Sequence, residues 1–210
     1  DAVPGKVGAP ESPAFIMNSD EGGLIIGEVT FSWAGVDEKS IGAGMYTVGA
    51  WTYTAEFEET YAATYSEEAP RSNANSGVYM MAEQKIYAES DHVEEGLSLF
   101  SRFGFANGRF NQFNYNLAFG VVYTGLLPSR EQDKLGFAIT QAHNGIEFRE
   151  YMLAGGTPVT NAELAIELTY RAQLTPWLAL QPDLQYIVHP GAQVGLENAT
   201  TFGTRVELGL

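Results

Sequence analysis

Apolar and polar residues alternate along most of this chain. Between Ala162 and Leu174, one side of an extended strand collects Ala162, Leu164, Ile166, Leu168, Tyr170, Ala172 and Leu174. The other side collects Glu163, Ala165, Glu167, Thr169, Arg171 and Gln173. After a break at "LTP", Leu178, Leu180, Leu184, Tyr186 and Val188 share a face opposed by Gln181, Asp183, Gln185 and His189. Near the end, Phe202, Val206, Leu208 and Leu210 oppose Arg205 and Glu207. Earlier, Leu97, Leu99, Phe103 and Phe105 oppose Ser98, Phe100 and Arg102, and Phe113 to Tyr123 oppose Asn114 and Asn116. The pattern predicts about nine strands. They cover 23–34, 43–55, 76–87, 95–106, 112–124, 134–143, 162–174, 177–189 and 199–210.

Most of these segments run to about ten residues or more, where strands of soluble proteins average five or six. A strand that crosses a bilayer at a tilt needs about 9–11. Two architectures produce this alternation. A soluble sandwich or barrel turns the apolar face inward, whereas a membrane barrel turns it to lipid and lines its lumen with the polar face. Strand length favours the membrane form. So do connections that alternate between tight ("LTP") and long ("EETYAATYSEEAPRSNAN", "GIEFREYMLAGGTPVTN"). Aromatic residues near strand ends, namely Trp33, Tyr46, Tyr87, Tyr123, Tyr170 and Tyr186, suit interfacial girdles. Periodicity alone leaves both forms open.

Composition narrows function. The 210 residues carry a formal net charge of -15, which argues against nucleic acid as a partner because phosphate recognition wants a basic face. Much of the acid lies in expected loops, Glu56 to Pro70 and Glu89 to Glu95. No cysteine is present, so a disulfide scaffold, a thiolate metal site and a cysteine nucleophile are excluded. The 23 Gly, 11 Tyr and 12 Phe suit β-structure with tight turns. His92, His143 and His189 lack metal-ligand spacing, and no phosphate loop or nucleophile elbow appears, so neither metal nor other cofactor is expected. No apolar run reaches the roughly 20 residues of a spanning helix. The start has no signal-peptide pattern, so the chain is mature, cytosolic or cut from something longer.

Several stretches resemble the carbohydrate-selective porins of the OprB family. "AELAIELTYRAQLTPWLALQPDLQYIVHPG" is similar to that family's closing strands, with a "TPW" turn leading into "QPDLQY". "YTVGAWTYTAEF", "GVYMMAEQKIY", "GLSLFSRFGFAN" and "GLLPSREQDKLGFA" resemble further family blocks in the same order. The resemblance implies an all-β fold: an antiparallel transmembrane β-barrel, here about nine strands of a sixteen-stranded parent. Residues 1–22 are then an irregular lead-in or loop, and 23–210 the barrel strands. It also implies passive carbohydrate diffusion across the bacterial outer membrane. The implied partners are outer-membrane lipids, monosaccharides, some disaccharides, and further copies in a homotrimer. A barrel of eight or ten strands is the alternative count, and a barrel that anchors the envelope or a soluble β-barrel binder the alternative function.

A sugar pore needs polar groups to replace the sugar's water and aromatic faces for its apolar side. Inward phase offers Glu28, Glu83, Lys85, Arg102, Asn114, Asn116, Glu163, Glu167, Arg171, Asp183, Gln185, Arg205 and Glu207 for the first task. Trp51 and Trp177 are candidates for the second. The competing role for the charges is an ion-pair lattice that holds the barrel round. Glu167 and Arg171 stand about 13 Å apart along one strand, so Arg171 or Arg205 is expected to pair across strands. Glu163 and Glu167 are equally too far apart for a glycosidase carboxyl pair. No enzyme is expected.

Overall fold

A computed structural model describes residues 22–35, 42–59, 72–89 and 95–209. Nine strands form one sheet: β1 (Leu24–Trp33), β2 (Gly44–Glu58), β3 (Ser72–Ala88), β4 (Gly96–Ala106), β5 (Phe113–Thr124), β6 (Lys134–Asn144), β7 (Ala162–Thr175), β8 (Leu178–Val188) and β9 (Ala199–Leu208). Each strand pairs antiparallel with its neighbours in sequence, in the order β1 to β9. The nine expected strands are all present, with ends shifted by a few residues. The expected lead-in lies outside the described residues except Gly22, as does His92.

The connection 145–161 was expected as a loop, yet it holds helix α1 (Ile146–Ala154). Strong helix formers fill its interior and glycines flank it. Gly156, at a φ of 77°, lets the chain reverse, and its N–H donates to the Leu153 carbonyl. No residue of α1 is buried, and no apolar stripe marks it in the sequence.

The sheet has almost no core of its own. Among the described residues, the buried hydrophobic ones are Ala88, Ala179 and Ala192 alone. Register explains why. Phe103 of β4 faces Leu117 of β5, and Leu99 faces Val121. Phe119 and Ile139 pair across β5 and β6, and Ile139 pairs with Ile166 of β7. These side chains, with Val29, Phe31, Val48, Met80, Leu168, Leu184, Phe202 and Val206, make one continuous apolar face that stays largely exposed, with Leu99, Val121 and Ile166 half-buried. Soluble monomers rarely leave contiguous apolar patches larger than a few hundred square ångströms in water. Among the described residues no helix is long and apolar enough to cross a membrane. A face of this kind belongs against lipid, with the strands themselves as the spanning elements.

Two aromatic rims frame that face. At the end holding connections 34–43, 89–95, 125–133 and 176–177, Trp33 stacks on Tyr46 at 4.7 Å and Tyr87 meets Tyr123 at 6.4 Å. Tyr170 joins them. Tyr186 sits at the opposite end, where Asn198 Nδ2 donates to its hydroxyl, and Tyr115 stacks there on His143 at 4.4 Å. All six expected girdle residues therefore lie near strand ends, Tyr186 apart from the other five.

The ends differ in how they are fastened. At the tight-turn end, buried Asp133 accepts from Tyr170 Oη, from the Gln173 N–H (2.9 Å) and from Arg130 Nε (2.6 Å). Burial opposes its ionisation, but these donors outweigh that and hold the carboxyl below the usual carboxylate range. At the long-connection end, Asn75 and Asn111 exchange side-chain hydrogen bonds of 3.1 and 2.8 Å, and Arg109 pairs with Glu59 at 3.0 Å. These contacts draw the 107–112 connection over the ends of β2 and β3.

Candidate functional site: the polar face of the sheet

The face opposite the lipid carries the candidate residues. A strand points successive side chains to opposite faces, and register propagates that choice across the sheet. Starting from Glu28, cross-strand partners on this face include Gly49, Tyr79, Gly104 and Asn116. A parallel row links Glu167 with Ala138 and Gln185, and another links Gln181 with Arg205. Glu83, Arg102, Glu167, Arg171, Asp183, Gln185, Arg205 and Trp51 all fall on this face. Trp177 lies one residue before β8, its N–H near Thr175 Oγ1 and its carbonyl accepting from Gly209 N. Asn114 sits where the β5–β6 register shifts, and its side chain bonds His143 Nδ1 at 3.0 Å.

The polar face divides in two. On β7 to β9 the charges satisfy one another. Arg171 reaches over β8 to Glu207 on β9, with Nε and Nη2 at 2.9 and 2.8 Å from the same oxygen, and gives Nη1 to Gln173. Arg205 and Lys134 add to the positive field on that carboxylate. Glu167 accepts from Gln185 Nε2 (2.9 Å) and Thr169 Oγ1 (3.0 Å), and Gln185 also touches Asp183. Glu163 is engaged by the Gly191 N–H. This is the lattice arrangement: cross-strand pairs that stiffen a wall.

On β1 to β5 the face is more aromatic, and hydrogen bonds join Tyr79 to Glu28 and Thr30 to Thr47. Arg102 has no hydrogen-bond or ion-pair partner among the described residues. It shares a hollow of about 280 Å³ with Glu83, Met45, Met81, Phe100 and Val122. A larger groove of about 730 Å³ is lined by Leu24, Ile26, Trp51, Tyr53, Phe57 and Phe110.

The rings on this half are seated on glycines. A Cβ added at Gly49 would lie 2.2 Å from Tyr79 Cζ, and one at Gly77 2.6 Å from the Trp51 ring. Gly49 faces Tyr79 and Gly77 faces Trp51 across the same strand pair, so each ring lies over the glycine opposite it. Phe100 lies likewise over Gly120, and the Asp183 carboxylate over Gly203. Side chains that would otherwise project from the wall are laid along it. Tyr79 crosses β2 in this way and donates to Glu28 Oε2 on β1 at 2.7 Å.

Sequence reasoning missed Tyr53, Tyr79, Phe57 and Phe110 as members of this face. Tyr79 was findable, since it shares strand phase with Glu83. Phe57 keeps the phase of Trp51 but lies two residues beyond the end of the expected strand 43–55. Phe110 belongs to a connection and carries no strand phase at all.

An apolar outer face, a polar inner face, aromatic rims and an all-antiparallel meander define this chain as wall of an outer-membrane β-barrel of the porin class. The comparisons agree. The profile of the carbohydrate-selective porin, OprB family, matches residues 3–210, and the chain belongs to that family. It is 25% identical over 186 residues to Porin B of Pseudomonas aeruginosa, covering 78% of this chain and 40% of that protein. To the putative porin QuiX of Acinetobacter baylyi it is 23% identical over 181 residues, 79% of this chain and 40% of the relative. The high-pH structure of Pseudomonas putida OprB superposes with a TM-score of 0.80 at 25% identity, over 90% of this chain and 49% of that one. The low-pH structure of the same protein shares the fold at a TM-score of 0.61 and 23% identity, over 90% and 47%. The chain thus spans about two fifths of the curated relatives it matches and about half of the solved barrel. Its location is the bacterial outer membrane, and its relatives are porins, which are transport channels.

Proposed function

We propose that this sheet is part of a pore through which small sugars diffuse passively into the periplasm. The observation that carries the reading is the division of faces. One side is a continuous apolar surface without a protein core beneath it, and the other is polar and partly unpaired. Lipid covers the first and water fills the second. No bond needs to be made or broken, so catalysis and a cofactor have no part in the mechanism.

Within the pore, Arg102 and Glu83 offer a donor and an acceptor that no described residue consumes, and Trp51 offers an apolar face. These three are the residues we assign to sugar contact. Glu167, Arg171, Asp183, Gln185 and Arg205 are assigned mainly to holding the wall in shape. Trp177, in the turn, lies outside the sugar path. Residues 23–210 act as one unit of barrel wall, with β1 and β9 joined to further strands when the barrel is closed. Outer-membrane lipids are its lateral partners, monosaccharides and small disaccharides its permeants, and a homotrimer its assembly, which mass measurement in detergent tests.

The pore itself is tested by reconstituting the full-length protein in planar bilayers. Ionic conductance that falls on addition of monosaccharide is expected. Arg102→Ala should weaken that fall several-fold. Absence of conductance, or conductance indifferent to monosaccharides and disaccharides alike, refutes the reading.

A further inference from the structure

We infer that β2 carries an aromatic track on which a neutral pyranose enters, running from the long-connection rim to the Arg102 hollow. The inference rests on the pore reading above and assigns it a path and a ligand face.

The order of residues along β2 sets the path. Phe57 lies nearest the rim and Trp51 deepest. Phe57 and Tyr53 have ring centroids 5.2 Å apart, and Tyr53 and Trp51 5.8 Å apart. Each step is shorter than a hexopyranose is long, so a sugar meets the next ring before leaving the last. Phe110, brought over by the Asn75–Asn111 clamp, forms the opposite side of the groove. One strand position beyond Trp51 stand Glu28 and Tyr79, and one further on the same face stand Met81 and Arg102. A sugar leaving the track therefore meets a carboxylate, a phenol and a guanidinium.

The chemistry selects the occupant. The groove lining is four aromatic rings and two aliphatic side chains, with the Asn75 and Asn111 amides as its polar edge. None of the described residues lining it is charged, so an ionised ligand gains nothing from them and loses water. A pyranose presents an apolar face of C–H groups and a rim of hydroxyls, which matches rings flanked by amides. The Trp51 ring lies over Gly77, and Tyr53 meets it edge to face at an interplanar angle of 79°. An acyclic polyol of the same size has the hydroxyls but no face.

The test compares glucose with sorbitol in liposome swelling by the full-length protein, in channels whose ionic conductance shows them to be open. Trp51→Leu with Tyr53→Leu keeps apolar bulk and removes the flat faces. The glucose-to-sorbitol rate ratio should then fall roughly three- to tenfold, the size of a lost aromatic contact. Trp51→Phe with Tyr53→Phe should keep most of the ratio. The single change Phe57→Leu, which removes one ring only, should lower it in the same direction by less. An unchanged ratio in the leucine variants, or an equal fall in the phenylalanine pair, overturns the track while leaving the pore reading intact. A wild-type protein that passes neither ions nor sugar overturns both.

Discussion

Replacing Asp133 by Asn tests how the tight-turn end is held. The carboxylate is 3% exposed and accepts three hydrogen bonds, from Tyr170, the Gln173 N–H and Arg130. It ties the 125–133 connection to β7 across the end of β6. Asparagine keeps the shape and one acceptor oxygen, which still serves Gln173. Its amide N–H groups then face Arg130, which can only donate, and the charge that strengthened the other two bonds is gone. Arg130 is partly exposed and its contribution is screened. The loss therefore comes mainly from the buried partners, where hydrogen bonds to a charged group contribute about 1.5–3 kcal/mol. We expect Asp133→Asn to cost about 2 kcal/mol, and Asp133→Ala, which leaves the Gln173 N–H without its acceptor, about 4 kcal/mol.

The assay is urea unfolding of the full-length protein from lipid vesicles, with free energy extrapolated to zero denaturant. The pH dependence supplies a second check. Because the folded carboxyl titrates below its ordinary value of about 3.9, its stabilisation is present above that value. It is lost as pH falls through the depressed folded pKa. Wild type and Asp133→Asn should therefore differ at pH 7 and converge in strong acid. Equal stability at pH 7, or a gap that widens on acidification, would refute the clasp.

Two further outcomes probe the faces and the seats. Phe119→Arg, mid-strand on the apolar side, should destabilise vesicle-inserted protein by about 2–4 kcal/mol. Ala138→Arg, one position away on the polar side, should cost much less in the same measurement, whereas a soluble fold would reverse that order. Gly49→Ala should lift the Tyr79 ring from the wall, break its bond to Glu28 and lower single-channel conductance. Tyr79→Phe loses the same bond but keeps its ring seated, so its conductance should stay near wild type.

The strands were legible because alternation is local. A period of two needs only the side chains of consecutive residues, and each of the nine expected segments holds a strand. The same local rule placed Glu83, Arg102, Arg171 and Arg205 on one face. Helix α1 was hidden because nine residues without an apolar stripe look like loop. Trp177 lies one residue outside β8, at a strand boundary, where phase is a weak guide.

Sequence by itself thus determined the number of strands, the two faces and the family to which they belong, since all three are written in residue order. It did not determine which lumen groups are spent and which are free. Arg171 and Arg102 have the same chemistry and the same phase. Arg171 is consumed by Glu207 two strands away, while Arg102 stands beside hydrophobic neighbours and Glu83. Nor did sequence show that Trp51 and Tyr79 lie over Gly77 and Gly49. Those relations depend on register between strands distant in the chain, and register is fixed only when the sheet is assembled.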